Sequence, residues 1–262
     1  MSEGRGGPFT AETPRRRGIA EVKKAGENAE GAENASAGAA RRILRFATVD
    51  STQRVAAGEP LGTVVIAEEQ TAGQGRHGHS WHSEPGNGIY CSMVLEPARV
   101  LTLALGVAAV EAIAEATGIR CDIRWPNDLM LDGRKCAGIL VQLIDGRAIA
   151  GIGINVNHAS LPAELEATSL RLHSGHSFDR ESIVEALLTA VESVTKEDAE
   201  TVLRLFAHAS SYVAGRRVRV DQAGGAIVGT TAGMDREGHL IVRKDDGTDT
   251  VIVAGGVRAA SA

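Results

Sequence analysis

The 262-residue sequence has no apolar run long enough to cross a bilayer. Its longest, around Leu101 to Val110, is interrupted by Thr102 and followed by Glu111, far short of the roughly 20 residues a spanning helix needs. A buried helix is expected there instead. Nor does the N-terminus carry the apolar core of a secretory signal, because Phe9, Ile19 and Val22 are its large apolar residues before Ile43. These absences imply a cytoplasmic protein with no membrane association. Cysteine is scarce: Cys91, Cys121 and Cys136 are odd in number and lack C-x-x-C spacing, which suggests neither a disulfide framework nor a zinc knuckle. Their plain reading is as small buried apolar residues. A basic excess is also missing, since the net charge is −5, and that argues against general nucleic-acid binding. No internal repeat is evident.

Hydrophobic residues make up 43% and charged residues 23%, values of an ordinary globular protein. Residues 1–40 are rich in Gly, Ala and Glu with almost nothing to bury, so a disordered tail is expected there. From Arg41 the texture changes. Ile43, Leu44 and Phe46 read as a strand leading to Asp50-Ser51-Thr52, whose side chains suit a helix N-cap. Leu61 to Ala67 suits a central strand buried on both faces, and Gly88 to Leu95 reads as the next strand. Arg99 to Thr117 has helical apolar spacing, with Gly118 as its stop.

Strands at Cys136 to Leu143 and Ala148 to Val156 meet across Asp145-Gly146, a hairpin signal because both residues tolerate positive φ. Helical patterns return at Asp179 to Val194 and near Ala199 to Tyr212. Beyond Ala214, four short strand patterns at Arg217 to Asp221, Ala226 to Ala232, His239 to Lys244 and Thr248 to Ala254 read as a small β-barrel. The expected architecture is therefore α+β: a mixed or antiparallel central sheet with packed helices over 41–212, and a barrel over 213–262.

Three stretches carry candidate chemistry. The first runs Gln70-Thr71-Ala72-Gly73-Gln74-Gly75-Arg76-His77-Gly78-His79-Ser80-Trp81. Its glycines let backbone N–H groups approach an anion, and Arg76 adds a planar charged fork suited to carboxylate or phosphate. The same composition also fits a mobile surface loop. It is neither a Walker loop nor a clean G-x-G-x-x-G fingerprint. Trp81 offers an aromatic plate, or a core tryptophan.

The second stretch is Arg124-Trp125-Pro126-Asn127-Asp128 followed by Gly133-Arg134-Lys135-Cys136-Ala137-Gly138. A turn after the rigid Trp-Pro step could fix Asn127 and Asp128 for polar groups or Mg²⁺, or merely form an Asx turn. Lys135 sits at the mouth of an apolar strand, where its ammonium could meet a carboxylate or phosphate, or simply be exposed; Gly138 clears space nearby. The third, Gly151-Ile152-Gly153-Ile154-Asn155-Val156-Asn157, alternates glycine with apolar residues so that a ligand can approach the sheet.

In this order and spacing the three stretches resemble the catalytic domain of biotin protein ligases, the biotin–[acetyl-CoA-carboxylase] ligases, over about Arg41 to Val257. The resemblance implies a class II synthetase-like catalytic domain followed by an SH3-like barrel. It also implies a two-step reaction: biotin and MgATP give biotinyl-5′-AMP, and a lysine of a biotin carboxyl carrier protein of acetyl-CoA carboxylase then takes the biotin. By the same resemblance Arg76 and Lys135 supply catalytic charge, and Gly73, Gln74 and Gly75 belong to the loop over the adenylate. Ser51, Thr52, Gln53 and Gln70 hold the polar end of biotin. Trp81 packs near adenine, Asn127 positions the nucleotide, Asp128 the metal, and Asn155 lies beside the ligand.

Gln74 and His79 stand where that family usually has arginine, and Gln53 where asparagine is common. Family members that repress transcription carry a helix-turn-helix domain of about 60 residues, which 1–40 cannot build, so no DNA binding is expected. Free sheet edges could pair two copies into a homodimer. The rival readings are a lipoate or octanoate ligase of related fold and a non-catalytic biotin-binding module.

Overall fold

The computed structural model describes residues 41–222 and 225–260; the expectation of a disordered tail over 1–40 lies outside them. Arg41 to Ala262 forms one compact unit. Its larger sheet contains β1 (Ile43–Val49), β2 (Val64–Gln70), β3 (Gly88–Leu95), β4 (Asp122–Arg124), β5 (Asp128–Leu131), β6 (Arg134–Ile144) and β7 (Arg147–Asn155), in the spatial order β1-β2-β3-β7-β6-β5-β4. β1 and β2 are parallel, and every other neighbouring pair in this sheet is antiparallel. The mixed sheet is the one expected.

β2 shows why a nearly continuous apolar strand needs two covered faces. Val64 and Ile66 join the main core, while Val65 packs with Ala56, Val94 and Ile149 on the opposite face. That opposite face is covered by the short helix α1 (Thr52–Ala57). The main-core face is covered by α2 (Leu101–Thr117), α4 (Arg180–Val194) and α5 (Ala199–Ala209), whose buried apolar residues all join one cluster. Gly118 ends α2 in the left-handed region at φ 74, a conformation glycine adopts without steric cost. A short α3 (Leu170–Ser174) precedes α4.

Two-residue turns close two hairpins. Asp145 and Gly146 join β6 to β7 with φ of 49 and 75, as their sequence implies. Asp132 and Gly133 make the same turn between β5 and β6, at φ 49 and 76. This second hairpin was not anticipated, because β4 and β5 are only three and four residues long.

The smaller sheet comprises β8 (Ala214–Gln222), β9 (Gly225–Met234), β10 (Leu240–Arg243), β11 (Asp249–Ile252) and β12 (Gly256–Ala259), in the order β11-β10-β9-β8-β12 and antiparallel throughout. Four of these strands were expected and β12 was not. Val218, Val220, Leu240, Val242, Ile252 and Val257 point into the same hydrophobic cluster as the large sheet. Trp125 Nε1 donates to Gly238 O at 2.9 Å, tying the turn after β9 to the connection between β4 and β5.

Candidate active site

Period-two alternation along β7 builds the floor of a cleft on the α1 side of the large sheet. Ala148, Ala150, Ile152 and Ile154 face the main core, which leaves Gly151 and Gly153 on the cleft side. A Cβ on Gly153 would lie 2.4 Å from Trp81 Cε2, and one on Gly138 of β6 would lie 3.1 Å from Trp81 Cζ3. The two glycines therefore leave the room in which the Trp81 ring packs close against the backbone. Gly151 gives similar room to the Gln53 carboxamide, whose Oε1 would stand 2.8 Å from an added Cβ.

The stretch from Gly73 to Trp81 is folded back on itself rather than loose. Gln74 and Ser80 form an antiparallel bridge. Trp81 N donates to Gly73 O at 2.9 Å, and Gly75 N donates to His79 O at 2.7 Å. Gly73 is required at its place, because a Cβ would meet Trp81 O at 2.7 Å. The tip is a 3-10 turn over Arg76–Gly78, with His77 and Gly78 at φ 55 and 78. From this tip Arg76 Nη1 reaches across the cleft and donates to Asn127 Oδ1 at 2.6 Å. Asn127 is itself fixed: its Nδ2 donates to Ile139 O at 3.0 Å, and its own carbonyl accepts from Ile139 N at 2.9 Å. Asn127 thus holds the arginine instead of forming a self-bonded turn.

At the other end, the N-terminus of α1 presents a chain of polar groups. Gln70 Oε1 accepts from Thr52 N at 2.9 Å and from Thr52 Oγ1 at 3.1 Å, while Gln70 Nε2 donates to Ser83 Oγ at 2.9 Å. Thr52 Oγ1 lies 2.8 Å from Ser92 Oγ, and Gln53 Nε2 donates to Ile149 O at 3.0 Å. Ser51 occupies the N-cap position of α1, but its side chain makes no cap bond. Its Oγ is buried without a partner, as are Gln53 Oε1 and Trp81 Nε1. Unpaired buried polar atoms are costly, by about 1–3 kcal/mol each, and these three belong to residues that line the cleft.

Charge concentrates between the loop and β5. Lys135 Nζ lies 2.6 Å from Asp128 Oδ1 and 5.3 Å from the centre of the Trp81 ring. Arg124 Nη2 lies 2.7 Å from Asp128 Oδ2. Burial pushes the Asp128 carboxyl upward, but Lys135 and Arg124 outweigh it and hold it below the usual carboxylate range. Burial lowers the Arg76 guanidinium from its ordinary value, opposed by Asp128; a guanidinium nevertheless stays charged in proteins. Lys135 is thus positioned rather than freely exposed. The expectation that Asp128 holds Mg²⁺ does not fit this arrangement, since each carboxylate oxygen already faces a cation.

Of the residues singled out in the sequence, Ser51, Thr52, Gln53, Gln70, Gln74, Gly75, Arg76, Trp81, Asn127, Lys135 and Gly138 line one cleft. Gly73 and Asn155 do not. Gly73 supports the loop from behind. Asn155 lines a second pocket that shares Trp81 and Lys135 with the first and also takes in Ser80, His82, Leu161, Leu165 and Ala167; its Nδ2 donates to Thr168 O at 3.0 Å. Gln74 faces the cleft, whereas His79 is exposed and does not line it. Gly151 and Gly153 of the third stretch line it too, as do Ser92 and Tyr90, which were not singled out. Strand period along β3 could have found Ser92 and Tyr90.

The biotin/lipoate A/B protein ligase family matches residues 46–158. The bifunctional ligase/repressor BirA of Bacillus spizizenii is 34% identical, over 94% of this chain and 84% of its own length. The biotin–[acetyl-CoA-carboxylase] ligase of Mycobacterium tuberculosis is 34% identical, over 79% of this chain and 82% of its own length. Among solved structures, a biotin protein ligase from Aquifex aeolicus in complex with biotin and ATP superposes with a TM-score of 0.76 at 29% identity, covering 84% of this chain and 100% of that one. The matched segment contains the cleft-lining loop and both strands beneath it, and with this identity sustained over most of a relative's length the chain belongs to the biotin/lipoate A/B protein ligase family.

Proposed function

We propose that the cleft activates biotin with ATP and transfers it to a lysine of a biotin carboxyl carrier protein of acetyl-CoA carboxylase. The observation that carries this reading is the pair of fixed cations, Arg76 on Asn127 and Lys135 on Asp128, beside a bed of glycines and a row of unpaired polar atoms. Biotin's ureido ring takes the Ser51–Thr52–Gln53 end, where Ser51 Oγ and Gln53 Oε1 lack partners. Its apolar chain lies along Trp81 and the sheet, and its carboxylate reaches Lys135 and Arg76. ATP takes the pocket beside Asn155, on the other side of Trp81 and Lys135, so that the two anions meet at the ammonium.

In the first step the carboxylate oxygen bonds to the α-phosphorus and pyrophosphate leaves. Repulsion between the two anions is the main obstacle, and preorganised cations offset it. In the second, a deprotonated lysine amine attacks the carbonyl carbon, the C–O bond to phosphate breaks, AMP leaves, and the amide nitrogen loses its proton to water. The folded-back loop shields the anhydride from water in the interval. Magnesium is expected to travel on the phosphates of ATP, and no side chain is assigned to it.

We assign this chemistry to 41–212 as a class II synthetase-like domain and read 213–262 as an SH3-like barrel. ATP as a substrate suits a cytoplasmic protein; among the described residues no helix is long and apolar enough to cross a membrane. Free sheet edges at β1 and β4 would serve a homodimer.

The test is to incubate the pure protein with ATP, Mg²⁺, an apo carrier domain and either biotin or lipoate, and to weigh the carrier. Addition of one biotin and no lipoate is the expected result. Lipoate addition would shift the assignment to the related ligases, and an unmodified carrier in both arms would overturn catalysis altogether.

A further inference from the structure

His82, Glu84 and His158 lie together behind the glycine-rich loop, each offering one donor atom within 4.8 Å of the others. They arrive from two directions. Residues 81–84 run without helix or strand and alternate in burial: Ser83 is buried and bonds Gln70, while His82 and Glu84 turn outward together. His158 follows the end of β7 and is fully buried.

The buried histidine lacks a partner that the fold would otherwise supply. Tyr90 Oη donates to Glu84 O at 2.8 Å and lies 3.5 Å from His158 Nε2. Having given its proton to the carbonyl, that hydroxyl can only accept from Nε2–H. This sets the tautomer and leaves the lone pair on Nδ1, an atom that is buried and unpaired. A satisfied core histidine would bond through both nitrogens, and one with a vacant buried lone pair calls for a donor or a Lewis acid.

We propose that His82, Glu84 and His158 bind a divalent transition-metal ion of the zinc class, pinning the stem of the glycine-rich loop to the end of β7. Two imidazoles and one carboxylate suit zinc, with a fourth position left to solvent or a further ligand. Ideal tetrahedral geometry needs neighbouring ligand atoms about 3.3 Å apart, so the donors must close by at most about 1.5 Å. His82 and Glu84 are exposed and can rotate to do so, with His158 as the fixed point.

The experiment is a titration of the chelator-stripped full-length protein with Co²⁺, followed by its visible d–d absorption, and then displacement by Zn²⁺. One equivalent should bind, and His82→Ala and Glu84→Gln should each weaken binding by at least about tenfold, the loss typical even of a supporting ligand. Because both residues are exposed, these variants are expected to fold, which near-UV circular dichroism checks. His173→Gln, at a separate exposed histidine–aspartate pair, should change nothing. Binding that is absent, or equally strong in the His82 and Glu84 variants, would overturn the proposal.

Discussion

At the residue scale, the shape of the cleft depends on side chains that are absent. Gly153 and Gly138 leave the sheet bare so that Trp81 can lie on it, and a single methyl group removes that possibility. Gly153→Ala places carbon 2.4 Å from the indole, so the ring must move by about an ångström or more. Displacements of that size near reacting groups cost on the order of a hundredfold in rate. We expect kcat/KM for biotin to fall about that much with folding retained, measured by carrier biotinylation and circular dichroism; unchanged kinetics would show that Trp81 is not a wall of the site. These glycines were legible as a pattern but weak as a signal, because alternation says which residues share a face without saying what lies on it. The ion pairs of Asp128 were out of reach for a related reason. Sequence shows a carboxylate beside a turn, whereas only the folded chain brings Lys135 and Arg124 onto its two oxygens.

At the scale of elements, long periodic segments were readable: β3, α2, the β6–β7 hairpin and α4 fall close to where apolar spacing and turn residues put them. β4, β5, β12 and α3 were not, because three to five residues carry too little periodicity to stand out from loop. What stabilises such short pieces is specific bonding. Ser169 is the N-cap of α3: its Oγ accepts from Leu172 N at 3.0 Å and donates to His158 O at 2.7 Å, with Ser169 and His158 both buried. Ser169→Ala removes the cap and strands a carbonyl. It should cost about 1–2 kcal/mol, read from denaturant unfolding, with Ser169→Thr recovering part of the loss. A cost near zero would mean that α3 is held by packing alone.

At the scale of the whole molecule, acid should destabilise the fold in two stages. His158 is buried with a depressed pKa, so the unfolded chain takes up its proton first, and this contribution to stability declines as pH drops below about 6.5. Asp128 is also held low. Its contribution is present above about pH 4 and fades as pH falls through the folded value. The melting temperature should therefore fall between pH 7 and 5, and fall less in His158→Gln; an identical pH profile in that variant would remove His158 as the cause.

The expected division at residue 212 was drawn where strand texture replaces helix texture, and composition cannot reveal that both sides feed one core. The hydrogen bond from Trp125 to Gly238 has a mechanical consequence for that division. Trp125 stands two residues before Asn127, the anchor of Arg76, so the C-terminal sheet braces the turn that aims Arg76 across the cleft. It works as a buttress, and a fragment cut before β8 would keep every residue of the cleft in its sequence while losing the support that sets them at the right distance.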